Sequence, residues 1–290
     1  MPSKKVIILF SHVSCLAHVK RNTGDAPWKC FKTSFDEPIE ENAPNWKKQE
    51  YDVWYRDPEV VARNMLANSD FAKEFDPAPY VELDAEGGQR RSDFMSGNFA
   101  WRQSVCLFLL DFFVCEVRLT SSGLPKDVIY EEDPVNNDGC MFVPIVLGSD
   151  KTTVSVGTGD IEYHPLYFSL GPLHNGVRRA HRNALIPIGF LAIPKSMYLV
   201  SYRHLHVDPI LSVGDRKYDD DPKFRKFKRQ LYHSSISAIL STLKLAMSTP
   251  AVYRCPDGHF RRVIFGIGPF IADYPEQVML AGIKQGWCPR

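Results

Sequence analysis

Two carboxylates carry most of the chemical promise in this sequence. In VPIVLGSDKTTVSVG, Val143 to Gly157, Asp150 stands between an apolar, largely β-branched run and a stretch that alternates polar residues with valine. Strands disfavour aspartate, so its presence there asks for a reason. In RRVIFGIGPFIADYPEQ a second apolar run ends in Asp273, where a helical pattern takes over. Two carboxylates held close repel each other unless cations neutralise them, and Mg²⁺ takes oxygen ligands of this kind. An aspartate at a strand end also serves as a turn former or helix cap, and spacing alone leaves both roles open.

The elements that must position these residues occupy the second half of the chain. Met141 to Val156 reads as one long strand, GTGD (Gly157 to Asp160) as a turn, and IEYHPLYFSL as a second strand, which together make a hairpin. HNGVRRAHRN carries the Asn175-Gly176 turn signal, and ALIPIGFLAIP gives a third strand. Asp residues and Pro222 open the next element, and Phe224, Phe227, Leu231, Ala238, Ile239, Leu243 and Ala246 share one face, so a helix of about 20 residues is expected. A fourth strand ends at Asp273, and PEQVMLAGIKQGW supplies a second helix.

This order, three strands, helix, strand, helix, with Asp150 in the first strand and Asp273 ending the fourth, is the beginning of an α/β, ribonuclease-H-like mixed sheet. In that fold the first and fourth strands are neighbours, which brings their side chains within reach of each other. Residues 1–25 are an unassigned tail. Residues 26–140 read as a mostly irregular and helical wrapping segment, rich in proline, with exposed aromatics at Trp28, Trp46, Trp54 and Tyr55. One helix is expected there, in DPEVVARNMLANSDF, capped by Asp57 with Pro58 in its first turn. Residues 141–290 form the α/β domain, and no internal repeat is visible.

Composition bounds the function classes. A chain of 290 residues, 44% hydrophobic, can bury at least one sizeable core, and a formal charge of +1 neither demands nor excludes a polyanionic partner. Seven cysteines, odd in number and irregular in spacing, suit a reduced intracellular compartment. VIILF is too short for a signal-peptide core, and VCLFLLDFFVCEV is broken by Asp111, so no membrane partner is expected. A Gly-rich phosphate loop is also lacking, which argues against a nucleotide cofactor.

PIVLGSDKTTVSV, EYHPLYFSLGPLHNGVRRAHRNALIPIGFLAIPK, DDPKFRKFKRQLYHSSISAIL and YRCPDGHFRRVIFGIGPFIADYPEQVMLAGIKQGWCPR closely resemble the Plavaka family of fungal transposases, which are similar to the CACTA (En/Spm-like) DNA transposases. The resemblance takes in WKCFKTSF, YDVWYRDPEVVARNML and RRSDFMSGNFAW, so it covers most of the chain from Trp28. It implies that Asp150 and Asp273 are the first two acids of an Asp-Asp-Glu triad, with IADYPEQ as the context of the second. The implied chemistry is phosphodiester hydrolysis and strand transfer on transposon-end DNA. Two Mg²⁺ ions about 3.5 to 4 Å apart would serve it, Asp150 bridging both and Asp273 holding one. Self-association and a nuclear location are further implications; failing function, a soluble intracellular protein is expected.

Relative to the family pattern, a second cysteine and a third acid would follow WCPR. The expectation is therefore a fragment that is inactive alone, or else a non-catalytic remnant acting at most as a DNA-binding or protein-interaction module. Cys288 would be half of a Cys-x-x-Cys zinc pair. Cys255 and His259 in CPDGH are either two zinc ligands or parts of a hairpin turn. Residues 105–126 and 196–214 interrupt the resemblance and read as inserts. Val-Cys and Ser-Met-Tyr can each contain the splice-donor hexamer GTATGT, so both are expected to be translated introns, the alternative being genuine surface loops or a lineage-specific strand. Candidate phosphate contacts are Arg178, Arg179, His181 and Arg182 in RRAHR, and Lys226 and Arg229 in KFRKFKRQ, where the alternative is a solvated helix face over core phenylalanines.

Overall fold

The computed structural model describes residues 26–108, 140–155, 161–179, 183–194, 218–284 and 286–288. The expected insert at 196–214 lies outside the described residues, as does 109–126 of the other. Strand Lys29–Thr33 (β1) leads through a short helix, Asn45–Lys48 (α1), to the antiparallel strand Tyr51–Tyr55 (β2). Asp57 then caps helix Pro58–Leu66 (α2) by accepting from the Glu59 N–H, with proline in the first turn, where its missing donor costs nothing. Strands Glu82–Leu83 (β3) and Gln89–Arg90 (β4) pair only with each other, and helix Asn98–Phe108 (α3) follows.

Beyond these come Met141–Ser149 (β5), the ribbon Thr152–Ser155 (β6) with Ile161–Tyr163 (β7), and then Pro165–Leu170 (β8). Helix Asn175–Arg179 (α4) leads into Leu185–Phe190 (β9). Helices Pro222–Ile239 (α5) and Leu243–Ser248 (α6) are joined by a 3₁₀ turn, and Ala251–Arg254 (β10), Phe260–Ile271 (β11) and Tyr274–Ala281 (α7) complete the order. Gly282, at a φ of 67°, ends α7 in the left-handed conformation that glycine adopts without a Cβ penalty. No helix among the described residues is long and apolar enough to cross a membrane.

The strands form one seven-stranded mixed sheet in the order β1-β2-β9-β8-β5-β11-β10. Its pairs are antiparallel except β5 with β11, which run parallel. The expected strands and helices of the second half follow in the expected order, but α4 and β10 are additional, and the expected single helix through Ala246 is broken at Leu240 into α5 and α6. The first half departs from expectation, because β1 and β2 extend the sheet past β9 instead of wrapping it irregularly. Trp46, expected to be exposed, is 1% exposed and packs with Tyr51, Phe224, Phe227 and Leu231 in a second core. Burying such a side chain is worth about 1.5–3 kcal/mol, enough to fix β2 against α5. Asn175-Gly176 opens α4 and is not a two-residue hairpin turn, since the Asn175 N–H is taken by Asp93 of the first half. On α5, Ala238 faces solvent, and Tyr232, Ser235 and Ile236 turn inward in addition to the expected Phe224, Phe227, Leu231 and Ile239.

The main core joins Val61 and Leu66 of α2, Ile239 and Leu243 of the helical arm, and Val143, Ile145, Phe168, Ile188, Val263 and Phe265 of the sheet. A smaller cluster of Cys140, Phe142 and Ile264 includes residues of the opposite face of β5 and β11. Burial on both faces accounts for the uninterrupted apolar run that opens β5.

Along the parallel pair, Ile145 sits beside Ile267 but Leu147 beside Phe270, so β11 carries one residue more than β5 across this step. Gly268 lies in the bulge, where an added Cβ would fall 2.8 Å from the Ile145 carbonyl oxygen; at Gly148 it would fall 3.0 Å from that of Ile271. A Cβ at Gly268 would force the backbones apart, and one at Gly148 would require them to give by a few tenths of an ångström. Gly268→Ala is expected to cost about 1–3 kcal/mol of stability in urea unfolding. Gly176→Ala, whose Cβ meets open space, should stay within about 0.5 kcal/mol of the parent. Equal midpoints for the two variants would refute the close-approach argument.

The turn from β10 into β11 is Cys-Pro-Asp-Gly-His, with Gly258 at a φ of 85° and the Cys255 N–H donating to the His259 carbonyl at 2.7 Å. Arg261 donates twice to Asp257, at 2.8 and 2.6 Å, and holds its carboxyl down at about 2. The unfolded chain therefore takes up this proton first as pH falls. The stability that the pair adds is present above about pH 4 and is lost as pH falls toward about 2. Asp257→Asn should make the melting temperature less steeply dependent on pH across that window, and a slope equal to the parent's would show that the pair adds nothing.

Candidate functional site

Asp150 is the first residue beyond β5, and Asp273 is the residue from which α7 starts; both are exposed. The sequence reading placed Asp150 inside one long strand. In the structure that strand stops at Ser149 and its hairpin resumes as the β6–β7 ribbon, with His164 as the matching break on the returning arm. The break falls where β11 leaves the sheet for α7, so past Ser149 the hairpin has no sheet neighbour on that side.

The bulge in β11 shifts the register of the residues that follow it by one. Counted on from the Ile145–Ile267 pair without it, Ala272 would share the level of Asp150; counted on from the last observed pair, Gly148–Ile271, Asp273 would. A slip of one residue also exchanges the faces of a strand, so the bulge sets which residues of β11 face the core beyond it. The Asp273 Oδ1 accepts the Glu276 N–H at 3.0 Å, which closes the first turn of α7. The Asp150 carboxylate accepts from the Thr152 hydroxyl at 3.3 Å.

Behind these acids lies a polar cluster that sequence reading did not single out. Glu276 is 5% exposed, and its carboxylate accepts from the Ser149 hydroxyl, from Nε2 of His164 and from the Tyr232 hydroxyl, the last at 3.3 Å. Tyr232 also stacks on the His164 ring, with 5.7 Å between centroids. Burial pushes the Glu276 carboxyl up, but the bonds from His164 and Ser149, the His164 charge and the Tyr232 bond outweigh it and hold the group below its ordinary range. Burial likewise raises the Tyr232 hydroxyl. The Asp-x-x-Glu spacing of Asp273 and Glu276 is a legible helix-start signature, in which the glutamate normally reaches back to the cap. Here its side chain turns inward instead, and nothing in the spacing announces that.

The remaining candidates are dispersed. Arg178 is half-buried, its guanidinium donating to the carbonyls of Leu173 and Gly171, and burial lowers its pKa. Arg179 is exposed, while His181 and Arg182 lie outside the described residues. Lys226 and Arg229 face solvent on α5, with Phe224 and Phe227 turned into the core. Cys255 is 1% exposed, whereas the His259 side chain is 72% exposed and stands 3.4 Å from Asp257; Cys288 is exposed. Among the described residues, no group of three or more His, Cys, Asp or Glu is disposed to hold a metal ion. What the sheet end does offer is a pair of exposed carboxylates, hard oxygen donors of the kind Mg²⁺ takes in ones and twos beside water and phosphate. One Asp273 oxygen, Oδ1, is engaged by the cap.

A family model described as Plavaka transposase matches residues 15–110 and 125–290, and the unmatched 111–124 fall inside the first expected insert. No curated protein and no solved structure matches the chain. With nearly its whole length matched, the chain belongs to the Plavaka transposase family.

Proposed function

We propose that the chain carries the metal-binding acids of a DNA-cutting and strand-joining domain, with Asp150 and Asp273 as ligands for Mg²⁺. The observation that carries this reading is the parallel β5–β11 pair, two residues beyond whose last partners, Gly148 and Ile271, stand Asp150 and Asp273, both exposed. The strand order β9-β8-β5-β11, with its single parallel pair, supports a ribonuclease-H-like architecture, and membership of a transposase family supports DNA as the substrate. When bound, the cation supplies charge neutralisation for the phosphoryl group and for the attacking and leaving oxygens.

The chain's own residues supply position. Asp150 is carried by a strand end packed on both faces and Asp273 by a helix cap, so neither backbone must reorganise when a phosphate arrives. Both acids serve as ligands and neither as a proton carrier. An exposed site admits a polymer from the side, as a long duplex requires. Arg179, Lys226 and Arg229, all exposed, are the cations available for sequence-independent phosphate contact; Arg178 is committed to backbone carbonyls.

Asp150→Asn and Asp273→Asn should each weaken Mn²⁺ or Mg²⁺ binding more than about tenfold in titration calorimetry and leave the fold intact, since each removes one hard ligand. Parent-like affinity in both variants would sink the metal reading. Replacing Lys226 and Arg229 together by alanine should weaken duplex DNA binding uniformly across sequences and lower the salt slope by about two. An unchanged slope in fluorescence anisotropy would remove α5 from the DNA interface.

A further inference from the structure

We infer that Glu276 is a positioning residue that sets the spacing of the two acids, an inference that rests on the reading of Asp150 and Asp273 as metal ligands. Its backbone N–H caps through Asp273, and its carboxylate is bonded by Ser149, the residue immediately before Asp150. One residue therefore joins the neighbour of one acid to the other acid itself. His164 and Tyr232 hold the same carboxylate from the β7–β8 junction and from α5, so it is tied to three elements besides its own helix.

Packing alone does not account for this arrangement. Ser149, His164 and Glu276 are 4%, 6% and 5% exposed, and enclosing a carboxylate among them costs more than apolar side chains of the same volume would. What such a network adds is direction: each bond fixes an angle as well as a distance. The geometry fixed here is that of the first turn of α7 against the end of β5, which is the geometry that two carboxylates sharing cations must hold.

The test is Mn²⁺ titration of the 290-residue chain, with melting temperatures measured alongside. Glu276→Gln should weaken Mn²⁺ binding about tenfold or more, as loss of a residue supporting metal ligands commonly does. Ser149→Ala, which removes one bond and orphans no charge, should weaken it severalfold with a melting temperature near the parent's, and it serves if Glu276→Gln does not fold. Leu231→Ala, a core change in α5 outside the network, should lower the melting temperature and keep the parent's affinity. If Asp273→Asn loses Mn²⁺ while Glu276→Gln and Ser149→Ala keep it, this inference falls and the metal reading stands. If Leu231→Ala loses affinity as far as Glu276→Gln does, general destabilisation explains both and the inference falls. If Asp150→Asn and Asp273→Asn both bind Mn²⁺ as the parent does, the metal reading falls and takes the inference with it.

Discussion

The parallel pairing of β5 with β11 is the interaction on which the rest of this structure depends. β5 has antiparallel β8 on one side and β11 on the other, so it is the strand around which both halves of the sheet are hung. Its close contact with β11 is made possible by two glycines, Gly148 and Gly268, at which backbone meets backbone without room for a side chain. The stagger between the strands then sets the register with which β11 runs out toward Asp273. A feature of backbone geometry thus bears on the proposed chemistry, because the two candidate acids follow the ends of this one pair.

The polar cluster behind the acids completes that arrangement. A sheet end is a poor place to fix a helix, since the ladder bonds stop there. α7 compensates by turning Glu276 inward to Ser149, His164 and Tyr232, groups drawn from three other elements. The carboxylate is stabilised there only because those donors surround it, and the same donors orient the helix that starts at Asp273. Stability and site geometry are carried by the same atoms.

Much of this was legible in the residues. The apolar runs of β5, β8, β9 and β11 and the amphipathic pattern of α5 are strong signals, because each element has a wide face to bury. The DG turn after Cys255 and the caps at Asp57 and Asp221 follow from local chemistry and stand where that chemistry puts them. β1 and β2 were missed because KCFKT and YDVWY mix charge with aromatics, and only a partner strand makes such segments extended. Trp46 was misjudged for the same reason, since its burial depends on α5, far away in sequence. At the site, two aspartates could be named from their positions at strand ends. The bulge and the inward turn of Glu276 could not, because both are set by contacts between elements.

The connectivity of the central pair also orders events during synthesis. β5 can pair with β8 as soon as the hairpin closes, but β11 follows only after α4, β9, α5, α6 and β10 have been made. Until then one edge of this largely buried strand lacks its neighbour, and such an edge is a template for unwanted pairing with other chains. Closing it requires a long loop to be ordered, which makes parallel pairing slow relative to a hairpin. The ends of β5 and β11, which carry the two candidate acids, therefore come together late, after the other strands of the core have been made.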